Sequence, residues 1–84
     1  MEHPDIIRLC DLDFGATGEI TKVCIDEEKS KRITQLGIIK GSTIQKMLCS
    51  PFKDPCAYFV HGSLIALRNH DAHNIFVRKL TNGE

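Results

Sequence analysis

The sequence predicts a mainly β fold: a small barrel or sandwich of about five short strands, with one short helix inserted after the first of them. Turn signals recur roughly every 8–12 residues and separate five short runs rich in apolar and β-branched residues. A single segment, residues 26–37, carries the start, charge pattern and stop of a helix longer than one turn. Length sets the scale: 84 residues, 42% hydrophobic and 26% charged, make one small globular domain over residues 1–84. Such a domain buries roughly 60–65% of its unfolded surface, enough for one core and too little for a deep cleft between domains.

Ile6, Leu9 and Leu12 fall at near-helical spacing and predict one short turn. The turn-rich run 13–18 leads into the first strand, Gly18 to Cys24. Its alternation is imperfect, with Ile20 and Cys24 on one face and Val23 and Ile25 on the other, which a strand covered on both faces tolerates. Asp26 is a good N-cap, Glu27 and Glu28 occupy the first turn, and Lys31 and Arg32 come late, so the charges complement the helix dipole. Ile25, Ile33 and Leu36 give this helix a narrow apolar stripe.

The second strand runs from Thr43 to Cys49 and stops at a loop holding Pro51 and Pro55, since proline cannot sit in a central ladder. Ala57 to Val60 is the third strand, His61-Gly62 a tight hairpin turn, and Ser63 to Arg68 the fourth strand. Asn69 caps a single helical turn through His73, and Asn74 to Lys79 is the fifth strand. The expected core is Ile20, Ile33, Leu36, Ile44, Leu48, Val60, Ile65, Leu67, Ile75 and Val77.

Everything turns on residues 32–44. Gly37 follows the helix where a left-handed residue must end it, and Ile38 should fold back onto Ile33 as in a Schellman ending. Gly41 then stands at the third position of a turn from Ile39 to Ser42, as a type II turn requires. Gly37 and Gly41 thus set how the helix feeds the second strand.

Lys+Arg and Asp+Glu balance at 11 each, so the basic excess of a dedicated DNA or RNA binder is missing. No apolar run approaches the ~20 residues of a membrane span, and Met1 to Asp5 does not read as a signal peptide. A soluble, cytoplasmic protein is expected. The four cysteines, Cys10, Cys24, Cys49 and Cys56, contain no Cys-x-x-Cys pair and are expected to be reduced apolar fillers. Cys49 and Cys56 flank one loop and are the two able to approach each other.

Few constellations suggest chemistry. Lys40-Gly41-Ser42-Thr43 reverses the Gly-Lys order of a phosphate loop and precedes a strand, so nucleotide binding is not expected. His70, Asp71 and His73 form the best metal candidate, because positions three apart on a helical turn share a face. A closed site needs about four ligands, so a divalent metal there would be weak and adventitious, and no cofactor is expected. Asp11/Asp13 and Glu27/Glu28 read as solvated pairs, and no nucleophile and base can be matched. No enzyme is expected. Lys40, Phe52 and Lys53 lie in tightly turned segments without a core position by alternation; Phe52 either covers the barrel end or meets a partner, and an exposed aromatic beside charges suits partner binding.

Four pieces of the chain together carry a family resemblance. They are Leu9-Cys10-Asp11-Leu12 followed by Gly15 and Gly18-Glu19-Ile20; Arg32 through Leu36-Gly37 to Gly41 and Ile44; Gly62 with Ile65-Ala66-Leu67-Arg68; and Ala72-His73-Asn74-Ile75-Phe76-Val77. In this order and spacing the chain resembles the FeoA family of bacterial ferrous iron transport over about residues 9 to 79. Lys40 departs from it, since the family commonly has Pro there; the loss leaves about 0.4–1 kcal/mol more unfolded-state freedom and keeps the turn.

The resemblance implies an SH3-like barrel, where the residue pattern alone leaves an OB-type barrel equally open. It also implies a non-catalytic adaptor whose partner is the FeoB-type membrane GTPase permease. The alternatives are a metal-responsive regulatory domain, for which 84 residues leave no room for a helix-turn-helix, or a small nucleic-acid-binding barrel, disfavoured by the neutral charge.

Overall fold

Six antiparallel strands form one sheet in the order β1-β6-β2-β3-β4-β5 in the computed structural model, which describes residues 6–80. The elements are β1 (Ile6–Arg8), a 3₁₀ turn (Leu9–Asp11), β2 (Thr17–Val23), α1 (Glu27–Gln35), β3 (Thr43–Cys49), β4 (Cys56–Val60), β5 (Ser63–Leu67), α2 (Asn69–Ala72) and β6 (Ile75–Lys79). β6, near one end of that order, and β5, at the other, supply the same core, with Ile75, Val77 and Leu67 in a single cluster. The sheet is therefore curled around its apolar face. Burying that face is the main favourable term for a sheet of this size.

The strand count differs from the sequence reading at the N-terminal end. Residues 6–12 do not make one helical turn: Ile6–Arg8 pair with Arg78–Phe76 as an edge strand, and only Leu9–Asp11 turn helically. Leu9 and Leu12 are buried and Ile6 is exposed. Three residues of strand carry too little pattern to be read without their partner.

Two bulges explain the core positions that alternation misplaces. In β3, Lys46 opposes Tyr58 and Leu48 opposes Ala57, so Met47 is an extra residue. An extra residue reverses the facing of all that follow. Ile44 and Lys46 point inward, Met47 and Leu48 both point outward, and Cys49 returns to the core side. Leu48, an expected core residue, is 59% exposed for this reason. In β2, Ile20 opposes Val77 and Lys22 opposes Phe76, so Thr21 is the extra residue. Ile20 and Val23 consequently both reach the core, while Cys24 is exposed rather than sharing the face of Ile20.

The helix and its exit follow the sequence expectation. The Asp26 carboxylate accepts from the Lys29 N–H at 3.0 Å and caps α1. At the other end Gly37 N–H donates to Thr34 O (2.9 Å) and Ile38 N–H to Ile33 O (3.2 Å), the two bonds of a Schellman motif. Gly37 has φ +92° and Gly41 φ +96°, and Ser42 N–H closes the second turn on Ile39 O at 3.0 Å. The reversal carries Ile38 into the core beside Ile33, which leaves Leu36, another expected core residue, at the exposed helix end.

The short helix α2 is capped differently from the expectation. Its N-cap is Arg68, and Asn69 does not cap it. The Asp54 carboxylate accepts from the Asn69 N–H at 2.9 Å, and the Asn69 amide donates to Lys53 O at 2.7 Å. A loop fifteen residues upstream thus satisfies the helix start and is itself held by it.

Candidate functional site

Loop 50–55 leaves β3 at Cys49 and returns at Cys56. The register sets these two cysteines opposite each other, with Cα atoms 3.8 Å apart, and a disulfide joins them. This corrects the expectation that all four cysteines are reduced; Cys10, half-buried, and Cys24, exposed, are free. Inside the loop Ser50 N–H donates to Pro55 O (3.0 Å), Lys53 N–H to Ser50 O (2.7 Å) and Ser50 Oγ to Asp54 O (2.8 Å). With the two Asn69 bonds, this network ties the loop at both ends and across its middle. On top of it Phe52 is 91% exposed, and Lys53, at φ 65°, is exposed beside it.

Below the loop a depression of about 320 Å³ is lined by Cys10, Asp13, Phe14, Lys46, Lys53 and the disulfide, among others. Lys46 is 9% exposed, an unusual burial for lysine. Its ammonium donates to Cys10 O at 3.0 Å and lies 5.2 Å from the centre of the Phe14 ring. Sequence reasoning passed over Lys46; its place two residues after Ile44 in a strand was the available signal. Tyr58, fully buried, has a hydroxyl with no hydrogen-bond partner among the described residues. Burial, with the Cys10 thiol nearby, pushes the Tyr58 phenol well above its ordinary range. Burial, reinforced by Asp11, likewise raises the Cys10 thiol.

Lys40 sits at a different place, exposed at the Ile39–Ser42 turn and lining a depression with Thr21, Lys22 and Ile38. It is not brought together with Phe52 and Lys53, which belong to the loop. His61 occupies the hairpin turn, as expected. At φ 49°, ahead of Gly62 at φ 78°, its ring reaches over Gly37 and its Nε2 lies 3.1 Å from Ser42 Oγ.

The metal candidates His70, Asp71 and His73 diverge. Asp71 pairs with Lys29 at 3.4 Å, linking α2 to α1, while His73 turns its Nδ1 to within 3.9 Å of Cys10 Sγ. Among the described residues no group of three or more His, Cys, Asp or Glu side chains is arranged to hold a metal ion. Nor does any helix among them reach the length and apolarity needed to cross a membrane.

Comparison with known proteins agrees with this architecture. In Porphyromonas gingivalis, the protein named Fe(2+) transport protein A/Fe(2+) transporter FeoB fusion protein is 32% identical over 75 residues, covering 89% of this chain. The chain spans only 9% of that relative's length. The solution structure of FeoA from Chlorobium tepidum superposes with a TM-score of 0.85 at 27% identity, over 93% of this chain and 74% of that one. A zinc-complexed FeoA of Stenotrophomonas maltophilia, described as an SH3 domain protein, gives 0.73 at 21% identity, over 84% and 88% of the two chains. That likeness bears on the fold, and the SH3-like barrel expected from the resemblance is the architecture found. The FeoA domain model matches residues 7–79, nearly the whole of the described structure, and this chain belongs to the FeoA family.

Proposed function

We propose that this chain is a non-catalytic, cytoplasmic adaptor that supports ferrous iron uptake by docking on an FeoB-type membrane GTPase permease. The family match and the Porphyromonas gingivalis relative, which by its name joins transport protein A to FeoB in one chain, support the choice of partner. A domain fused to its partner works at a high effective concentration, and the contact itself is made through the domain's own surface. The observation that carries docking is loop 50–55. An aromatic ring 91% exposed on a loop pinned by backbone and side-chain hydrogen bonds has no folding role, and it loses little entropy on meeting a partner. Lys53 beside it and Lys40 at the helix-exit turn are the charged contacts in this reading. The reading requires no catalytic group and no cofactor.

The test is ferrous uptake in an iron-limited strain lacking its own FeoA protein. Phe52→Ala and Lys40→Glu should fold, with melting temperatures within a few degrees of the parent, and should lose uptake. If both variants fold and support normal uptake, the docking surface assigned to them is wrong.

A further inference from the structure

Two metal-ligating side chains, Cys10 and His73, sixty-three positions apart in sequence, approach each other, unlike the sequence-local trio at 70–73. Cys10 Sγ and His73 Nδ1 lie 3.9 Å apart across the junction of the 3₁₀ turn and the end of α2. Both backbones are fixed by charged side chains. Lys46 Nζ donates to the Cys10 carbonyl at 3.0 Å, and Arg8 Nη1 donates to the His73 carbonyl at 2.7 Å. The His73 N–H also bonds Asn69 O at 2.8 Å, closing α2. Asp11 is a further oxygen donor nearby, its Oδ1 3.9 Å from the Cys10 sulfur.

We propose that Cys10 and His73 form an open, two-residue chelate for a borderline-to-soft transition-metal ion such as Zn²⁺ or Co²⁺. Bond lengths decide whether one ion fits between them. With a zinc–sulfur bond of about 2.3 Å and a zinc–nitrogen bond of about 2.05 Å, a 3.9 Å separation subtends an angle of about 127° at the metal. That lies close to the trigonal angle and within reach of a distorted tetrahedron. By that distance a single ion can span the two atoms. A thiolate with an imidazole selects such ions over magnesium or calcium, which prefer oxygen ligands. Because the described residues offer no preassembled third and fourth ligands, water or Asp11 completes the shell. The ion is then exchangeable and does not serve as a structural staple. On binding, the thiol proton is released to solvent as the sulfur–metal bond forms, and no redox change is involved. The inference stands independently of the adaptor reading, since neither Cys10 nor His73 is among the docking residues of that reading.

Cobalt titration of the full chain tests it. The experiment uses a Cys24→Ser background, which removes the exposed thiol, without reductant, so that Cys49 and Cys56 stay bonded. A near-ultraviolet thiolate-to-cobalt charge-transfer band should grow to one Co²⁺ per chain and vanish on adding Zn²⁺. Cys10→Ser should abolish the band, and His73→Ala should weaken binding by about tenfold or more, in line with the loss of a direct ligand. Should Cys10→Ser fail to fold, the His73 variant decides alone, because that side chain is exposed and its loss leaves the core intact. Absence of the band at millimolar cobalt, its persistence in Cys10→Ser, or equal affinity in His73→Ala overturns the proposal.

Discussion

Replacing Gly37 by alanine tests the joint on which the chain turns. Two costs add at this residue. Its φ of +92° is unfavourable for any residue with a Cβ, worth about 1–3 kcal/mol. An added Cβ would also fall well inside van der Waals contact of His61 Cδ2. The His61 side chain is exposed and can swing away, so this clash costs no more than the contact it forfeits, the hydrogen bond to Ser42, about 0.5–1.5 kcal/mol. The sum is about 1.5–4.5 kcal/mol, against roughly 4–13 kcal/mol for the total stability of a domain this size. In melting temperature it corresponds to a loss of about 10–25 °C. Chemical denaturation of the parent, Gly37→Ala, His61→Ala and the double variant forms a cycle that separates the two costs. Backbone strain should persist in the His61→Ala background, while the steric part, about 0.5–1.5 kcal/mol, should disappear. Gly37→Ala within 0.5 kcal/mol of the parent, or a cycle with no coupling, would refute this account of the joint.

Other features give separate tests. Because Met47 is a bulge, Leu48→Ala should cost under about 1 kcal/mol while Ile44→Ala costs about 2–5 kcal/mol; equal losses in denaturant midpoint would show regular alternation instead. Asp54→Ala should remove the carboxylate that caps α2 and lower stability by about 0.5–2 kcal/mol, and an unchanged midpoint would show that the loop does not brace the helix. Tyr58 is the sole tyrosine, so absorbance near 295 nm follows it alone. Burial raises its pKa in the fold above the unfolded value of about 10, so its contribution to stability is complete below that pH and is lost as pH climbs above it. The phenol should ionise only together with unfolding seen by circular dichroism; ionisation near pH 10 in an intact fold contradicts its burial.

What the sequence made legible, and what it did not, follows from the range of the interactions involved. The Asp26 cap, the Gly37 ending and the Gly41 turn are local, each set by a few consecutive residues, and all three form as expected. The bulges at Thr21 and Met47 depend on the partner strand's register, so alternation alone assigned Leu48 to the core and misjudged Cys24. The same limit applies to the candidate sites. Phe52 was legible as a residue without a core role because its loop is bounded by prolines. The bond from Asp54 to Asn69, the burial of Lys46 against Cys10 and Phe14, and the pairing of Cys10 with His73 all join distant segments, and no spacing rule reveals them. His70, Asp71 and His73 were grouped by helical spacing, but α2 lasts a single turn, and the partners of Asp71 and His73 lie on α1 and the 3₁₀ turn.

The central claim is that this domain works by surface contact with an FeoB-type permease, and direct binding to detergent-solubilised permease tests it most plainly. Immobilised domain should retain the permease saturably. Phe52→Ala should weaken that binding by about 10–30-fold, the loss expected when an aromatic anchor worth about 1.4–2 kcal/mol is truncated. His70→Ala, an exposed residue of α2 outside loop 50–55, should bind as the parent does. Failure of the folded parent domain to bind the permease at any accessible concentration, or binding indifferent to Phe52, would contradict the account.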